Sequence, residues 1–594
     1  MKYLLILFLF FTSSYANIEL STTDSNATQI ELTKSIKKYF KTNQKIGINV
    51  RKRPLRAYYA KEQYQLIWFK NNLLSPIAQD LLEVAQSDKI IANDIKTSFN
   101  IEVIEDLLFE HKSRELTAKE TLQLDLLLTN LYDKYMNCVS KGSIDWSAFK
   151  KKLAKLMEKR DIMANWEKYS AKVNKPKLLQ ETLISQDFNH SMQKTDHSYP
   201  NSDKLYDRLS YYENILNDGG YVKVPTVTKS LKEGMSSSVV PLLRERLIQS
   251  NDFTLQSDTI ETAGAPESDI QAPLAPNVED AYPQENSANI YNKELVIAVK
   301  SFQKSHGLAV DGVCGPDTIR HLNISVDSQI HQIKVNLERM RWMPRELGKD
   351  YLIVNIPDYN LRYFKDKKEM LKLSVVVGTK KHPTPIFSHQ LSTVVLNPYW
   401  RVPKRIVQRE IIPKLVKNPS YLRNKDMNIH ESWDTKSEIY EPTDINWTQF
   451  AQTDLQKKEK FYPDVPYRFI QTPGKKNPLG KMKFMFYNKY LVYLHDTSAK
   501  YIFNRRQRAY SHGCIRVHNP YKLLKTIASE DKKLDYTEAK EILEDVEQTE
   551  ISLNKKIPIH IVYLTAWIDD NDEMQFRDDV YGYDKMQEKI LYHN

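Results

Sequence analysis

A cysteine in Ser511-His512-Gly513-Cys514-Ile515-Arg516-Val517 and a histidine in Tyr493-Leu494-His495-Asp496 are the groups best suited to covalent chemistry; the fifteen residues 496–510 separate His495 from Ser511. A free thiol ionises near pH 8.5 and is a weak nucleophile at neutral pH, and an imidazole that takes its proton raises the thiolate fraction. The apolar run 491–494 reads as a strand delivering His495, and Gly513 permits the tight turn that presents Cys514 beside it. The backbone N–H groups of Gly513 and Cys514, lined by Ser511 and His512, are candidates for stabilising an oxyanion, as acyl transfer requires. Two plainer readings compete. A lone cysteine in apolar surroundings is commonly a small core residue. His495, His512, Cys514 and His518 are also zinc-ligand types, but no Cys-x-x-Cys or His-Glu-x-x-His spacing accompanies them, so no metal is expected.

The elements that must position this pair follow from periodicity. Helical spacing dominates 33–184, with amphipathic runs at 77–84 and 122–135, and a polar stretch at 185–203 reads as a linker. Next comes a small helical unit. A helix over 239–247 carries Val240, Leu243 and Leu247, and a second over 294–305 carries Ala298, Val299 and Phe302. Asp311-Gly312-Val313-Cys314-Gly315-Pro316-Asp317-Thr318 then imposes two turns. Between these helices the chain holds no Lys or Arg from 248 to 292 while Asp and Glu accumulate, so an acidic loop is expected over 254–287. After a connecting helix at 330–342, alternating apolar segments at 351–356, 361–364 and 371–377 read as strands. A charged stretch at 405–469 interrupts that pattern; strands resume at 483–487 and 491–494, and 558–563 closes the sheet.

Composition narrows the class. A chain of 594 residues, 41% hydrophobic and 11% aromatic, buries several cores and is not wholly disordered. The formal net charge of +11 favours an anionic polymer or surface as neighbour. The basic residues are scattered and no nucleic-acid motif is present, so no nucleic-acid partner is expected. Lys2, the apolar run 4–11 and Ser14-Tyr15-Ala16 read as an export signal over 1–16, too short to span a bilayer. Three cysteines, Cys138, Cys314 and Cys514, cannot form a disulfide framework; a bridge between Cys138 and Cys314 stays open.

The spacing from His495 to Ser511-His512-Gly513-Cys514 and its following apolar residue resembles the motif of the YkuD-type L,D-transpeptidases. Arg516 stands where small members carry Asn, as in the large periplasmic YcbB type. The turn and core residues of 231–318 are similar to the peptidoglycan-binding repeat of wall enzymes, and Leu55-Arg56-Ala57-Tyr58-Tyr59 with Ile67-Trp68 resembles the opening of the YcbB-type scaffold. The resemblance implies a multidomain α+β chain: signal peptide (1–16), helical scaffold domain (17–184), linker (185–203), peptidoglycan-binding-like helical bundle (204–323) with its acidic loop (254–287), connecting helix (324–349), and a mainly-β L,D-transpeptidase catalytic domain (350–594) with a lid insertion at about 405–469.

It further implies a periplasmic enzyme of a Gram-negative bacterium that acts on peptidoglycan without a cofactor. Cys514 would attack the third residue of a tetrapeptide stem, release D-Ala, and pass the thioester to an amine of a neighbouring stem, with His495 as base. Arg516 would hold a stem carboxylate or make a structural ion pair, Tyr399 and Trp400 would wall the pocket, and either the Asp496 side chain or a backbone carbonyl would orient His495. Other cell-wall enzymes are candidate partners, and the oligomeric state is not set by sequence. An L,D-carboxypeptidase hydrolysing the same thioester and a non-catalytic wall-binding protein are the alternatives.

Overall fold

The computed structural model describes residues 22–42, 50–160, 164–169, 173–195, 199–250, 287–451 and 463–592. The expected signal peptide, all but the last residue of the acidic loop, and 452–462 of the expected lid lie outside the described residues. The chain forms two compact units, one of Met1–Ser143 with Lys172–Asp196 and one of Ile144–Ala171 with His197–Asn594. The single helical domain expected over 17–184 is therefore corrected: 144–171 folds with the catalytic unit.

The first unit is built on the helix Ala118–Lys141, whose Thr117 and Glu120 form a reciprocal capping box. Most of its residues are buried, including Asp125, which accepts from the Tyr59 hydroxyl at 2.5 Å and from Ile67 N and Trp68 N at 2.9 and 2.7 Å. The Tyr59 and Ile67-Trp68 pattern thus closes around one buried carboxyl, which burial pushes up to about 7. The linker expected at 185–203 is also corrected. Phe188–Thr195 is a helix with Phe188, Ser191 and Thr195 buried, and Ser191 meets the Tyr132 hydroxyl at 2.8 Å. Its polar composition conceals hydroxyls that the fold satisfies internally.

In the second unit, the small bundle comprises Val240–Gln249, Lys293–Ser305 and Pro316–Leu322 around Leu243, Leu247, Val299, Phe302 and Ile319. Buried Gln303 ties the turn that follows: its Oε1 accepts from Asp311 N at 3.1 Å and Gly312 N at 2.9 Å. Gly312 has φ +72°, and an added Cβ would lie 2.7 Å from Val296 Cγ1. Cys314 is buried in this core and Cys138 in the first unit's core, and the two form no disulfide. The connecting helix spans Val326–Met340.

Nine strands form the catalytic sheet: β1 (Asp350–Asn355), β2 (Asn360–Lys365), β3 (Lys368–Gly378), β4 (Phe387–Leu396), β5 (Met482–Met485), β6 (Leu494–His495), β7 (Ala509–Ser511), β8 (Ile515–Val517) and β9 (Thr549–Val562). Their order is β7-β3-β8-β6-β5-β4-β9-β1-β2, and a further β2 to β3 pairing closes the circuit. Alternating apolar side chains of these strands fill one core with the helix Pro520–Ala528. The helix Trp146–Arg160 seals the same core. Trp146 stacks on Phe149 at 5.1 Å, Trp146 and Trp166 meet Trp342 edge-on at 5.2 and 5.4 Å, and Trp166 bridges to Ile386.

Residues 400–471, which contain the charged insertion expected at about 405–469, carry a second sheet in which Trp400–Arg401, Arg468–Gln471, Met427–His430 and Ile439–Tyr440 are neighbours in that order. Ile412, Leu415, Leu422, Ile429, Trp447 and Phe469 make its own core. A widened turn at Val407–Ile411 precedes the helix Ile412–Lys417, where Pro413 supplies no N–H to the regular ladder.

Phe149 is fully buried. Phe149→Ala is expected to destabilise the catalytic unit by about 3–5 kcal/mol. Urea unfolding followed by tryptophan fluorescence reads this, and an unchanged midpoint would place the helix outside the core.

Candidate active site

Two short parallel strands bring the candidate pair together. β6 pairs with β8 so that Leu494 faces Ile515 and His495 faces Arg516, and Ile515 N donates to Tyr493 O at 3.1 Å. Residues paired across a ladder share a face and alternate residues return to it, so Tyr493, His495, Cys514 and Arg516 lie on one side. The rings of Tyr493 and His495 meet edge-on at 5.7 Å. The strand expected over 491–494 is reduced to Leu494–His495. Leu491 is left-handed (φ +56°) and 80% exposed, and its carbonyl lies 3.8 Å from Cys514 Sγ as acceptor of the thiol.

The turn carrying the thiol is over-determined. Gly513 has φ +113°, a conformation that strains any side chain. Ser511 Oγ donates to Cys514 O at 2.5 Å and accepts from Gly513 N at 3.1 Å, while Thr384 Oγ1 donates to Gly513 O and accepts from Gly378 N, both at 2.9 Å. Tyr581 locks the other side, its hydroxyl donating to Gly378 O at 2.8 Å and accepting from Thr384 N at 3.1 Å. The expected oxyanion pocket is corrected accordingly: Gly513 N–H is already engaged and buried Ser511 staples the turn, leaving Cys514 N–H as the backbone donor of that pair for an oxyanion.

His495 is buried, and its Nδ1 donates to the carbonyl of Asp496, so its Nε2 is the free acceptor, the form a base needs. Burial, then the Arg516 charge, lowers it to about 3. Of the two groups expected to orient His495, the backbone carbonyl of Asp496 serves and its side chain, expected also to bind substrate, is engaged elsewhere. It is buried, accepts from Lys481 N at 2.9 Å and pairs with Lys500, and an added Cβ at Gly480 would lie 2.3 Å from its Oδ2. Burial likewise pushes the Cys514 thiol up to about 11, against smaller lowering by its Tyr493 contacts and Arg516. Arg516 is itself held low by desolvation, its Nε is buried without a hydrogen-bond partner, and no carboxylate pairs with it among the described residues. Of its two expected roles, an open receptor for a carboxylate fits and a structural ion pair does not.

His512 does not line the thiol pocket as expected. Its Nε2 meets Glu410 of the widened turn at 2.7 Å and its ring stacks on His382 at 4.6 Å, so the side chain clasps the 400–471 segment. Half-buried Trp400 packs against that segment's core, and half-buried Tyr399 is anchored through its N–H on Gln548 Oε1 at 2.9 Å. Sequence reasoning missed Tyr493, Lys483, Thr384, Tyr581 and Glu410. Tyr493 was signalled by its two-residue spacing from His495; Lys483, paired with His495 across β5 and lowered by desolvation, is 5.7 Å from the Tyr493 ring. Nothing local signalled the other three. Among the described residues no group of three or more His, Cys, Asp or Glu side chains is placed to hold a metal ion.

The L,D-transpeptidase catalytic domain (YkuD) matches residues 349–546, a scaffold domain matches 53–209, and a domain described as "Putative peptidoglycan binding domain" matches 280–322. A Haemophilus influenzae protein named "Putative L,D-transpeptidase" is 32% identical over 264 residues, 44% of this chain and 50% of its own. The match thus spans about half the length of that curated relative. Among solved structures, an L,D-transpeptidase from Stackebrandtia nassauensis is 12% identical over 57% of this chain and 96% of its own, with a TM-score of 0.20. One from Mycobacterium smegmatis is 12% identical over 36% and 58%, with a TM-score of 0.17. No structural argument follows from scores of that size.

With thiol and imidazole both neutral at rest, alkylation of Cys514 by iodoacetamide is expected to rise steadily from pH 8 to 10. A plateau below pH 7 would reveal a preformed thiolate and imidazolium. His495 and His306 are each lowered to about 3 by burial, against about 6.5 when unfolded. Their folded forms resist protonation, so stability is full above pH 6.5 and falls as pH drops through 6.5 towards 3, by about 1.4 kcal/mol per unit per histidine. Unfolding midpoints measured between pH 7 and 5 check this, and His495→Gln should flatten the slope.

Proposed function

We propose that this chain, which carries a YkuD-type L,D-transpeptidase catalytic domain, a scaffold domain and a peptidoglycan-binding module, is a periplasmic enzyme that crosslinks peptidoglycan through a thioester on Cys514. The observation that carries the reading is the neutral His495, fixed by the Asp496 carbonyl on the same sheet face as Cys514. In the proposed reaction His495 Nε2 takes the thiol proton as Sγ attacks the carbonyl of the third stem residue. Cys514 N–H stabilises the oxyanion. On collapse the C–N bond breaks, imidazolium returns the proton to the departing D-Ala amine, and the thioester remains. An amine of a neighbouring stem then attacks, His495 receives its proton, and the Cys514 thiol is restored.

Arg516 and Lys483 disfavour a positive His495 and favour a thiolate on Cys514, so a stem carboxylate that neutralises Arg516 makes the imidazole a better base and the thiol a weaker acid together. The 400–471 segment acts as a lid in this reading: Glu410 on His512 holds it against the catalytic turn, and exclusion of water protects a thioester meant for an amine.

Cys514→Ala and Cys514→Ser are expected to abolish turnover of a disaccharide tetrapeptide, and His495→Gln to lower it by about 10²–10⁴. Chromatography with mass spectrometry separates the outcomes. Dimers joined through third residues support crosslinking, and tripeptide alone with acceptor present makes the protein an L,D-carboxypeptidase. Binding to wall without any Cys514 adduct leaves a non-catalytic module.

A further inference from the structure

Beyond the thiol site, a groove of about 810 Å³ runs between the His306–Ala309 turn of the small bundle and the catalytic sheet's 357–360 turn, 503–509 loop and 577–580 segment. Its floor is bolted. Arg577 donates to Ser305 O and Asp358 at 2.9 Å, His321 meets Asp578 at 3.2 Å, and Arg506 pairs with Asp317 at 3.0 Å and Asp578 at 3.2 Å. Six cations line it, Arg320, Lys380, Arg505, Arg506, Arg508 and Arg577, against three carboxylates, Asp358, Asp578 and Asp579. The carboxylates are spoken for: Arg577 and Arg362 hold Asp358, the bundle's His321 and Arg320 with Arg506 hold Asp578, and Asp579 accepts from the Tyr563 hydroxyl and Tyr583 N.

Three cations are left over. Arg508 donates to the carbonyls of Tyr359, Val375 and Arg505 at 3.0, 3.2 and 3.2 Å, Arg505 reaches the Tyr510 hydroxyl at 3.3 Å, and neither they nor Lys380 meet a carboxylate among the described residues. Two segments of the groove's lining connect along the chain to the catalytic turn. Its 503–509 loop enters β7, which ends on Ser511 of the catalytic turn. Lys380 lies in a loop whose Thr379 N donates to Ser511 O at 2.9 Å and whose His382 stacks on His512.

We infer that this groove binds the carboxylates of peptidoglycan stem peptides through Arg505, Arg508 and Lys380, so that a wall strand held by the small bundle is led toward Cys514. The inference rests on the wall-enzyme reading above. A row of uncompensated cations on a rigid floor selects a ligand carrying repeated carboxylates, and guanidinium groups suit them geometrically. Neutral glycan chains offer nothing to these residues. The stems supply the charge.

The test is co-sedimentation of the full chain with purified sacculi at low salt. Lys380→Glu with Arg505→Glu is expected to weaken retention about tenfold, as reversing steering charges at an interface does. The conservative pair Lys380→Arg with Arg505→Lys should bind like the native chain, and Arg505→Gln, the mildest change, should fall between. Soluble wall fragments with stems should compete, whereas a neutral N-acetylglucosamine oligosaccharide should not. Native retention of the reversed pair, or equal competition by the neutral oligosaccharide, would overturn the groove. A carbapenem adduct on Cys514 of the native chain judges the enzyme reading separately: its absence would remove that reading and leave the sedimentation result standing.

Discussion

The catalytic arrangement depends on a parallel ladder only two residue pairs long, Leu494 to Ile515 and His495 to Arg516. So short a ladder has little strength of its own, and register errors of one residue turn every side chain to the opposite face. Here such a slip would separate base from nucleophile. The surroundings prevent it: β5 holds β6 through Lys483 and Phe484, β3 holds β8 through Val375 and Val376, and the buried Leu494, Ile515 and Val517 anchor both strands in the core. The Thr384 and Tyr581 hydroxyls then set the turn at Gly513, so the position of the thiol is decided by residues more than a hundred positions upstream and tens downstream.

The electrostatics of the site run opposite to those of a cysteine enzyme with a preformed ion pair. Desolvation dominates both partners, leaving a neutral thiol beside a neutral imidazole, and the nearby cations are desolvated as well. A receptor of this kind is least comfortable when empty. An anionic ligand that satisfies Arg516 raises the proton affinity of imidazole and thiol alike, so binding acts on both partners of the proton transfer, and the resting enzyme keeps no reactive thiolate.

How much was legible follows from how local each signal is. Cys514, His495 and the glycine turn were readable because chemistry and backbone freedom are written in neighbouring residues. The order of scaffold, bundle and sheet was readable from periodicity. The role of Ser511 was not, since a serine beside a catalytic turn looks the same whether it faces substrate or staples backbone. The packing of Trp400 was not legible because an aromatic suits a pocket and a core equally, and the segment at 400–471 hid its core among charged residues spread over short strands. Glu410 and Thr384 reach the site only through tertiary packing. The helix Phe188–Thr195 was missed because its buried hydroxyls resemble linker composition.

The interleaving of the two units bears on how the molecule comes into being. Ile144–Ala171 is made early, yet its Trp146, Phe149 and Trp166 dock on Trp342, Ile386 and the strand Thr549–Val562, whose last residues come near the end of synthesis. An emerging polypeptide therefore carries an unsheltered aromatic surface through most of its biogenesis, a state that invites aggregation unless a holding factor covers it. Closure of that surface coincides with completion of the catalytic barrel. Only a chain made past Val562 hides Trp146 and Trp166 in this way, and a protease that cuts exposed aromatic segments would discriminate such molecules from shorter ones by this feature alone.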